Sequence, residues 1–484
     1  MAVGLETPAR PRDGEAPRVA GRRPTATERL FAPVDNASLV AFRVAVGALL
    51  FWETLRYVHY GWITEYWVEP TFFFTFQGFD WVTPWPGSGM YLHFMALGSL
   101  ALCVASGFFY RITAALFTIG FAYVFLLDKA NYLNHFYLIV ILSFLLVVVP
   151  AHRRFSLDVF LRPGLRSTTA PTWALWLLRA QVGLVYAFGG IAKLNGDWLA
   201  GRPMDTWLAE HSGAPIVGPL LDQPWSGLVF SYGGLAFDLL VVPALLWRRT
   251  RPYALGAAIA FHLANTQLFS IGVFPWFMIA ATTLFLDPDW PVRALAAVRG
   301  RLPGVRAGAP AGAGASRSGG GASTAGGGRG LALRRAGIAA LAVFLAFQVL
   351  VPFRHLLYPG SVYWTEEGHR FSWHMKLRDK SSDLLRVVAR GADGRTLRVE
   401  PRRYVTENQL DEMATRPDML QQFARHVAGD LERRGLGRTA IHVNAEVSLN
   451  GRPPQPMIDP RVDLARTPRD LRHASWILPL SPAQ

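Results

Sequence analysis

The chain has 484 residues, of which 51% are hydrophobic and 17% are charged, and its formal net charge is +15. In a soluble chain this charge would suggest a nucleic-acid partner, but several stretches of about 18 to 22 residues carry almost no charge, which is enough to cross a hydrocarbon layer of ~30 Å. Much of the arginine lies between these stretches, where it orients a membrane protein. The sequence therefore predicts a polytopic α-helical membrane protein that is surrounded by lipid and binds no nucleic acid.

Residues 1–33 are rich in arginine and proline and are not followed by the short apolar core of a signal peptide. They are predicted to form a disordered basic tail. The single cysteine, Cys103, lies within an apolar stretch, so an internal disulfide and a cysteine metal site are excluded. No histidine or carboxylate spacing is typical of a zinc or di-iron site, and no metal is expected.

Nine apolar stretches are interpreted as membrane spans. Eight of them form a bundle within residues 34–290, and the ninth lies within 331–356. The intervening segment, 291–330, is rich in glycine, alanine and arginine and is predicted to be a flexible cytoplasmic linker. The predicted spans are Leu39–His59, Met90–Phe109, Ile112–Leu127, Asn134–Pro150, Thr172–Lys193, Gly227–Trp247, Pro252–Ser270, Ile271–Leu286 and Leu331–Phe353.

Basic residues mark alternate connections between the predicted spans. Arg111 follows the second span, Arg153 and Arg154 follow the fourth, and Arg248 and Arg249 follow the sixth. Positive residues favour the cytoplasmic side of a membrane. The N-terminus is therefore predicted to be cytoplasmic, and the C-terminal region is predicted to be extracytoplasmic.

Residues 357–484 have the pattern of a small α+β domain, predicted to lie on the outer face. Leu384–Val405 alternates around a glycine-rich turn, which is typical of a hairpin. Glu407–Arg434 has helical periodicity with a break at Pro417. A second hairpin is predicted to turn at the Asn-Gly pair that begins at Asn450.

Polar residues within the apolar spans meet at one predicted depth. Each needs a reason, because a lysine at the centre of a span costs about 2.5–3.5 kcal/mol. Lys193, in "GGIAKLNGDW", lies at the outer edge, since a helix rises ~1.5 Å per residue from the inner end of its span. The pattern predicts a quinone-sized or lipid-sized pocket there, with a candidate amine base. The polar residues of the other helices at this level are Asn134, His135, His262, Asn265 and Gln267.

Structural explanations compete with this interpretation. A lysine at the end of a span commonly extends its ammonium to the membrane interface. Asn265 and Gln267 would also suit hydrogen bonds between helices. Arg179 and Asp238, deeper in the fifth and sixth spans, are expected to pair with each other and hold the bundle together.

Six blocks of the sequence resemble the vitamin K-dependent gamma-glutamyl carboxylase family, in the order that the family has them. Together they extend over most of the chain apart from the linker, and the resemblance is to a bacterial homologue with an HTTM-type membrane domain. The blocks are "LDKANYLNHFYL", "GGIAKLNGDW", "FHLANTQLFSIGVF", "DPDWP", "FSWHM" and "IDPRVDL".

The resemblance implies an enzyme that oxidises reduced vitamin K, or a menaquinol, with O2 to the epoxide. The base formed would remove a γ-proton from a protein glutamate, and the carbanion would take up CO2. Lys193 resembles the family's catalytic lysine, and Asn134 and His135 resemble its active-site pair. The residues that the resemblance assigns to the cofactor are His262, Asn265, Gln267 and Trp198, and those assigned to the glutamate substrate are Trp373, His374 and Met375.

The chemistry explains why a lysine would be kept at this position. No acid lies within a helical turn of Lys193 on its buried side, so the lysine is expected to be unpaired. Burial in an apolar pocket favours the neutral form of an unpaired amine, and a neutral amine acts as a general base. Lys193 is therefore expected to begin quinol oxidation by taking a phenolic proton.

The sequence also departs from the animal members of the family. Ala192 stands where they have a second lysine, and the chain ends soon after "SWILPL", without their long C-terminal extension. Quinol epoxidation is therefore expected more firmly than carboxylation of a protein. Two alternatives stay open: a quinol epoxidase without carboxylase activity, and a non-catalytic membrane protein that binds a quinone or a lipid. The expected location is the bacterial cytoplasmic membrane.

Overall fold

The computed structural model describes residues 25–215, 217–269, 271–301 and 327–481. A bundle of apolar helices is followed by a smaller C-terminal domain that contains a sheet. The main bundle helices are α1 (Ala37–His59), α2 (Gly89–Ser106), α3 (Tyr110–Leu127), α4 (Asn134–Val148), α5 (Thr172–Ala192), α6 (Ser226–Leu246), α7 (Arg251–Leu268), α8 (Phe274–Thr282) and α9 (Gly327–Leu350). Shorter helices are Ala26–Phe31, Leu157–Leu161, Gly196–Leu199, Met204–Ala209, Gly218–Leu221, Trp290–Arg301 and Val362–Thr365, and a small antiparallel pair joins Pro33–Asp35 to Thr169–Pro171.

Six helices in the described part of the chain are long and apolar enough to cross a membrane. Helix α4 has 15 residues, which at ~1.5 Å per residue is shorter than the hydrocarbon layer. Helix α7 has 18 residues but carries several polar side chains and is not among the six. A membrane protein is thus supported, and the nine predicted crossings stay a prediction. The six are Ala37–His59, Gly89–Ser106, Tyr110–Leu127, Thr172–Ala192, Ser226–Leu246 and Arg335–Leu357.

Two segments that were expected to lack structure are partly helical. Thr25 and Glu28 form a capping box at the start of Ala26–Phe31, so residues 25–33 are ordered, contrary to the predicted tail. The helix Trp290–Arg301 occupies the beginning of the predicted linker. The rest of the tail, residues 1–24, and most of the linker, residues 302–326, lie outside the described part of the chain.

The C-terminal domain is built on a sheet of four strands in the order β2-β1-β3-β4, and all neighbouring strands are antiparallel. Its core includes one face of β3, where every second residue from Thr439 to Leu449 is buried. Helices α10 and α11 supply the other side of this core. The strands are β1 (Lys380–Gly391), β2 (Thr396–Val399), β3 (Thr439–Leu449) and β4 (Gln455–Pro456), and the helices are α10 (Glu407–Ala414) and α11 (Pro417–Leu431).

The predicted elements of this domain are confirmed. The first hairpin is β1–β2, and its turn contains Gly394 with a φ of 81°. The helical stretch breaks before Pro417, which lies in the first turn of α11. The second hairpin joins β3 to β4, with Asn450 and Gly451 both in the left-handed region.

Ion pairs join the C-terminal domain to the bundle. Lys129 Nζ, from the connection between α3 and α4, lies 2.7 Å from Asp418 Oδ2, and Arg370 Nη1 lies 2.9 Å from the same oxygen. Burial opposes ionisation of Asp418, but the two cations outweigh it and hold the pKa of this carboxyl well below its usual value. Arg452 Nη2 lies 2.5 Å from Asp197 Oδ1, just beyond α5. The Lys129–Asp418 pair ties the domain to the connection between α3 and α4, and the Arg452–Asp197 pair holds it over the end of α5.

Helices α5 and α6 approach each other closely at Gly190. A Cβ atom added there would lie 2.6 Å from Leu239 Cδ2 and 3.3 Å from the Leu239 backbone nitrogen. We expect Gly190→Ala to destabilise the protein by about 1–3 kcal/mol, because the helices would have to separate. Thermal unfolding of the purified protein measures this loss.

Gly233→Ala is the matched control, since a Cβ added at Gly233 on α6 meets nothing within 4 Å. The thermal unfolding midpoint of this variant should equal or slightly exceed that of the unchanged protein, because alanine favours a helix more than glycine does. Equal midpoints for the two variants would show that the close approach at Gly190 contributes nothing.

Candidate functional site

A cavity of about 150 Å³ opens where α5, α6, α7 and α8 meet the C-terminal domain. Its polar residues include Lys193, Asp238, His262 and Asn265. The rest of its lining is largely apolar and aromatic. Prominent among these side chains are Trp198, Phe230, Phe261, Leu268, Phe269 and Phe274.

Lys193 has an acidic partner, contrary to the prediction that it is unpaired. Its Nζ lies 2.5 Å from Asp238 Oδ2 and donates a longer hydrogen bond, of 3.4 Å, to the Gly189 carbonyl. Each of the two ionic side chains is less than 10% exposed. The acid was missed because it lies on α6, 45 residues along the chain, and not within a turn of Lys193. As a unit the pair carries no net charge, which makes its burial in an apolar setting tolerable.

The glycines around Lys193 make room for this pair. A Cβ added at Gly189 would lie 3.1 Å from Asp238 Oδ2, closer than ordinary contacts allow. Gly234 of α6 lies against Lys193, where an added Cβ would be 3.7 Å from the lysine Cε. The two glycines of "GGIAK" thus let α6 approach α5, and the acid comes within reach of the amine.

Arg179 does not pair with Asp238, so that expectation is wrong. Its Nε donates a hydrogen bond of 2.7 Å to the Leu284 carbonyl, and its Nη2 donates one of 2.9 Å to the Leu286 carbonyl. Arg179 therefore ties α5 to the end of the α8 segment, at a helix terminus where free carbonyls need donors. Asp238 pairs with Lys193 instead.

His262 and Asn265 line the cavity together, as their spacing on α7 predicts. His262 Nε2 and the Tyr186 hydroxyl share a hydrogen bond of 2.8 Å, whereas the buried Nδ1 of His262 has no partner within the described residues. A buried imidazole nitrogen without a partner is costly and suits a ligand hydroxyl. Gln267 does not line the cavity; it is exposed and donates a hydrogen bond to the neighbouring Thr266 hydroxyl.

Trp198 forms part of the wall beside Lys193. Its ring centroid lies 5.2 Å from Lys193 Nζ, and its Nε1 donates a hydrogen bond of 2.7 Å to the Ser231 carbonyl. An indole held in this way offers an apolar face to a ligand and a cation–π contact to the lysine. The structure thus brings Trp198 into the same cavity as Lys193, His262 and Asn265.

Asn134 and His135 lie beside the cavity and do not line it. Asn134 Nδ2 donates a hydrogen bond of 3.1 Å to the His374 carbonyl, which ties α4 to the C-terminal domain. The His135 ring lies 5.5 Å from the ring of Phe274, and Phe274 does line the cavity. Both residues therefore contact groups that shape the cavity.

The segment Trp373–Met375 crosses the upper end of the bundle. Met375 lines the cavity, but Trp373 is fully buried against Tyr137 and His374 lies on another cavity on the far side of α5. Burial lowers the pKa of His374 to about 3, with a smaller contribution from His355, so His374 is uncharged at neutral pH. Of the three residues assigned to the substrate, Met375 alone reaches the Lys193 cavity.

A further cavity, of about 350 Å³, lies under the C-terminal domain. It is lined by charged side chains that include Lys129, Arg354, Arg370 and Asp418, and neither Lys193 nor His262 reaches it. An apolar ring would gain little by entering a charged space of this kind. We therefore place the candidate site in the smaller cavity beside Lys193.

Comparison with known families agrees with the two-part architecture. The HTTM domain model matches residues 31–290, and the model of the vitamin K-dependent gamma-carboxylase lumenal domain matches residues 333–483. No solved structure matches the chain. The first match covers the helical bundle with its cavity, and the second covers the sheet domain that holds Met375. The chain therefore belongs to the vitamin K-dependent gamma-carboxylase family, with an HTTM domain followed by the lumenal domain.

Proposed function

We propose that this chain is an integral-membrane enzyme that oxidises reduced vitamin K with O2 and carboxylates protein glutamate with CO2. The observation that carries the proposal is the buried Lys193–Asp238 pair in an otherwise largely apolar cavity. A buried ion pair contributes little to stability compared with apolar residues of the same size. Its presence beside an unpartnered imidazole nitrogen favours a chemical role.

The Lys193–Asp238 pair accepts the proton that the quinol loses at the start of the reaction. A quinol hydroxyl beside Lys193 gives up its proton to the lysine nitrogen while the lysine passes one of its own protons to the Asp238 carboxylate, so the pair ends as an ammonium beside a neutral carboxylic acid. Lys193 contacts the hydroxyl, and Asp238 keeps the lysine positioned and takes up the proton that the lysine passes on. This replaces the idea of an isolated neutral amine with a base made of two residues.

The cavity fits the ring of a quinol. Aromatic side chains on α6, α7 and α8 would hold it, and Trp198 would pack against one side. His262 Nδ1 and the Asn265 amide, which make no hydrogen bond within the described residues, would bind the oxygen at the other end of the ring. When bound, reduced vitamin K would react with O2 and supply the strong base that removes the γ-proton of glutamate. One oxygen atom of O2 would end in the epoxide, and the other would leave as water.

Asn134 and His135 act as positioning residues in this proposal. Asn134 fixes the backbone of His374, and His135 packs against the Phe274 ring. Both thereby set the shape of the cavity near Met375. A water-poor cavity protects the strong base from being quenched before it reaches the glutamate.

The proposed location is the bacterial cytoplasmic membrane. The N-terminus would be cytoplasmic and the C-terminal domain extracytoplasmic, because the arginine-rich connections share one side. The Lys193 end of α5 would then face the outer leaflet, beneath the C-terminal domain. A quinol would enter from the lipid, and a glutamate-containing peptide would come from the aqueous side.

The direct test is an assay of the purified full chain in lipid nanodiscs. It contains reduced vitamin K, O2, labelled bicarbonate and a glutamate peptide, and both the epoxide and the fixed label are measured. We expect both products. Epoxide without fixed label would identify a quinol epoxidase, and neither product would indicate a non-catalytic quinone-binding or lipid-binding protein.

His262→Phe should raise the KM for the quinol about tenfold, because the ligand loses a hydrogen bond in a buried site. His442→Phe is the control, since His442 is a half-buried residue on β3 that does not line the cavity. Initial rates of epoxide formation over a range of quinol concentrations give the KM for the quinol in each of the two variants. An unchanged KM in the His262 variant would remove this residue from the quinol site.

A further inference from the structure

The cavity has a second lysine, which the sequence pattern did not single out. Lys376 lies at its mouth and is exposed, whereas Lys193 is buried inside. The Lys376 ammonium lies 5.6 Å from the ring centroid of Trp207 and 5.3 Å from that of Phe269. These contacts are at the distance of cation–π interactions, so the two rings hold the charge at the mouth.

The two lysines differ in their charge balance. Lys193 is neutralised by Asp238, but no carboxylate in the described part of the chain lies within 4.0 Å of Lys376 Nζ. Protein atoms around the ammonium partly desolvate it and lower the pKa of Lys376, and Asp379 and Glu210 are among the acids that oppose this from a distance. With Lys193 and Asp238 cancelling, Lys376 gives the cavity one uncompensated positive charge when it is protonated.

The backbone holds Lys376 at this place in an uncommon conformation. Phe371, Trp373 and Lys376 have φ values of 65°, 59° and 49°, in the left-handed region that favours glycine. A non-glycine residue in this region is strained and persists because its surroundings hold it. Here the Tyr132 hydroxyl accepts a hydrogen bond of 2.6 Å from the Phe371 N–H, and the Asn134 side chain donates one of 3.1 Å to the His374 carbonyl.

We propose that Lys376 binds the side-chain carboxylate of the substrate glutamate at the mouth of the cavity. This inference rests on the proposed function. Reduced vitamin K, O2 and CO2 carry no charge, so the glutamate is the substrate that a single positive charge at the mouth would recognise. The carboxylate contacts Lys376, and the adjacent γ-carbon has one face turned toward the interior of the cavity and Lys193.

The same contact assists the removal of the γ-proton. When the γ-carbon loses its proton, negative charge spreads onto the adjacent carboxylate, which then carries more charge than before. A fixed ammonium beside that carboxylate stabilises the added charge more than it stabilises the ground state. Lys376 would therefore favour glutamate over glutamine, whose amide offers no negative charge.

The test compares Lys376→Met, which keeps the length of the side chain, with Lys376→Arg, which keeps the charge. Carboxylation is measured over ranges of glutamate peptide and of quinol. We expect Lys376→Met to raise the KM for the peptide about tenfold more than the KM for the quinol, and Lys376→Arg to recover most of the loss. Arg390→Met, at an exposed position on β1, should change neither value.

Three outcomes would overturn the inference. An unchanged peptide KM in an active Lys376→Met protein would show that the charge is not used for the glutamate. A larger rise in the quinol KM would assign Lys376 to the quinol instead. If the unchanged protein forms no Lys193-dependent epoxide, the proposed function fails, and this inference fails with it.

Discussion

The double variant Lys193→Met, Asp238→Leu is expected to fold as stably as the unchanged protein and to lose about 10²–10⁴-fold in quinol oxidation. Both side chains of the pair are less than 10% exposed, and the pair spans α5 and α6. Replacing a buried ion pair with apolar residues of similar volume is commonly neutral or stabilising. Removing the proton acceptor nevertheless removes the start of the reaction.

The single variants behave differently from the double variant. Lys193→Met leaves the Asp238 carboxylate buried without its partner, and Asp238→Leu leaves the ammonium alone, so each should destabilise the protein by about 3–5 kcal/mol. Thermal unfolding and initial rates of epoxide formation, measured on the same preparations, separate stability from chemistry. Small amines added to Lys193→Ala should restore part of the turnover if the lysine acts as a base.

A surface ion pair provides the matched control. Arg402 and Glu407 form a pair in which both side chains are more than 60% exposed. Changing them to Met and Leu should leave turnover unchanged, because exposed pairs contribute little and this one is remote from the cavity. Normal turnover in the stable Lys193, Asp238 double variant would show that the pair is structural.

Glu366→Gln should destabilise the protein by about 3–5 kcal/mol, since it leaves two buried cations without their counter-charge. Glu366 Oε1 lies 2.8 Å from Arg378 Nε and 3.4 Å from Lys380 Nζ, and the glutamate side chain is 3% exposed. Burial lowers the pKa of Lys380 to about 8, while Glu366 opposes that shift. Unfolding of the full chain in detergent measures the loss.

Glu432→Gln is the control for this change. Glu432 is exposed at the end of α11 and forms no ion pair with the other described residues. Its replacement should shift stability by less than about 0.5 kcal/mol. A Glu366 variant as stable as this control would mean that Arg378 and Lys380 find other partners.

Local patterns in the sequence predicted much of the fold. The hairpin turn at Gly394, the helix break at Pro417 and the Asn450 turn depend on neighbouring residues, and all three are present. The apolar pattern alone does not determine how many helices cross the membrane. It marks α4, α7 and α8 as spans, and these three are not among the six helices that are long and apolar enough to cross, because the pattern registers composition over a window and not the final helix.

The cavity was predicted in part. Lys193, His262, Asn265, Trp198 and Met375 all line it, as a shared depth in the membrane and the family resemblance suggested. The lysine's partner could not be read from local spacing, because a contact between α5 and α6 depends on how closely the two helices pack. The signal that was available is the acid in the apolar run "GGLAFDLL", since an acid inside a span needs a partner.

The most direct test of the account is to map where a quinol binds. A vitamin K analogue that carries a photoreactive diazirine would be bound to the full chain in nanodiscs, crosslinked and located by mass spectrometry. Labelling of Phe230, Phe261 or Phe274 is expected, and unlabelled reduced vitamin K should prevent it. Labelling at Arg354 and Arg370 in the charged cavity, or labelling that reduced vitamin K does not prevent, would contradict it.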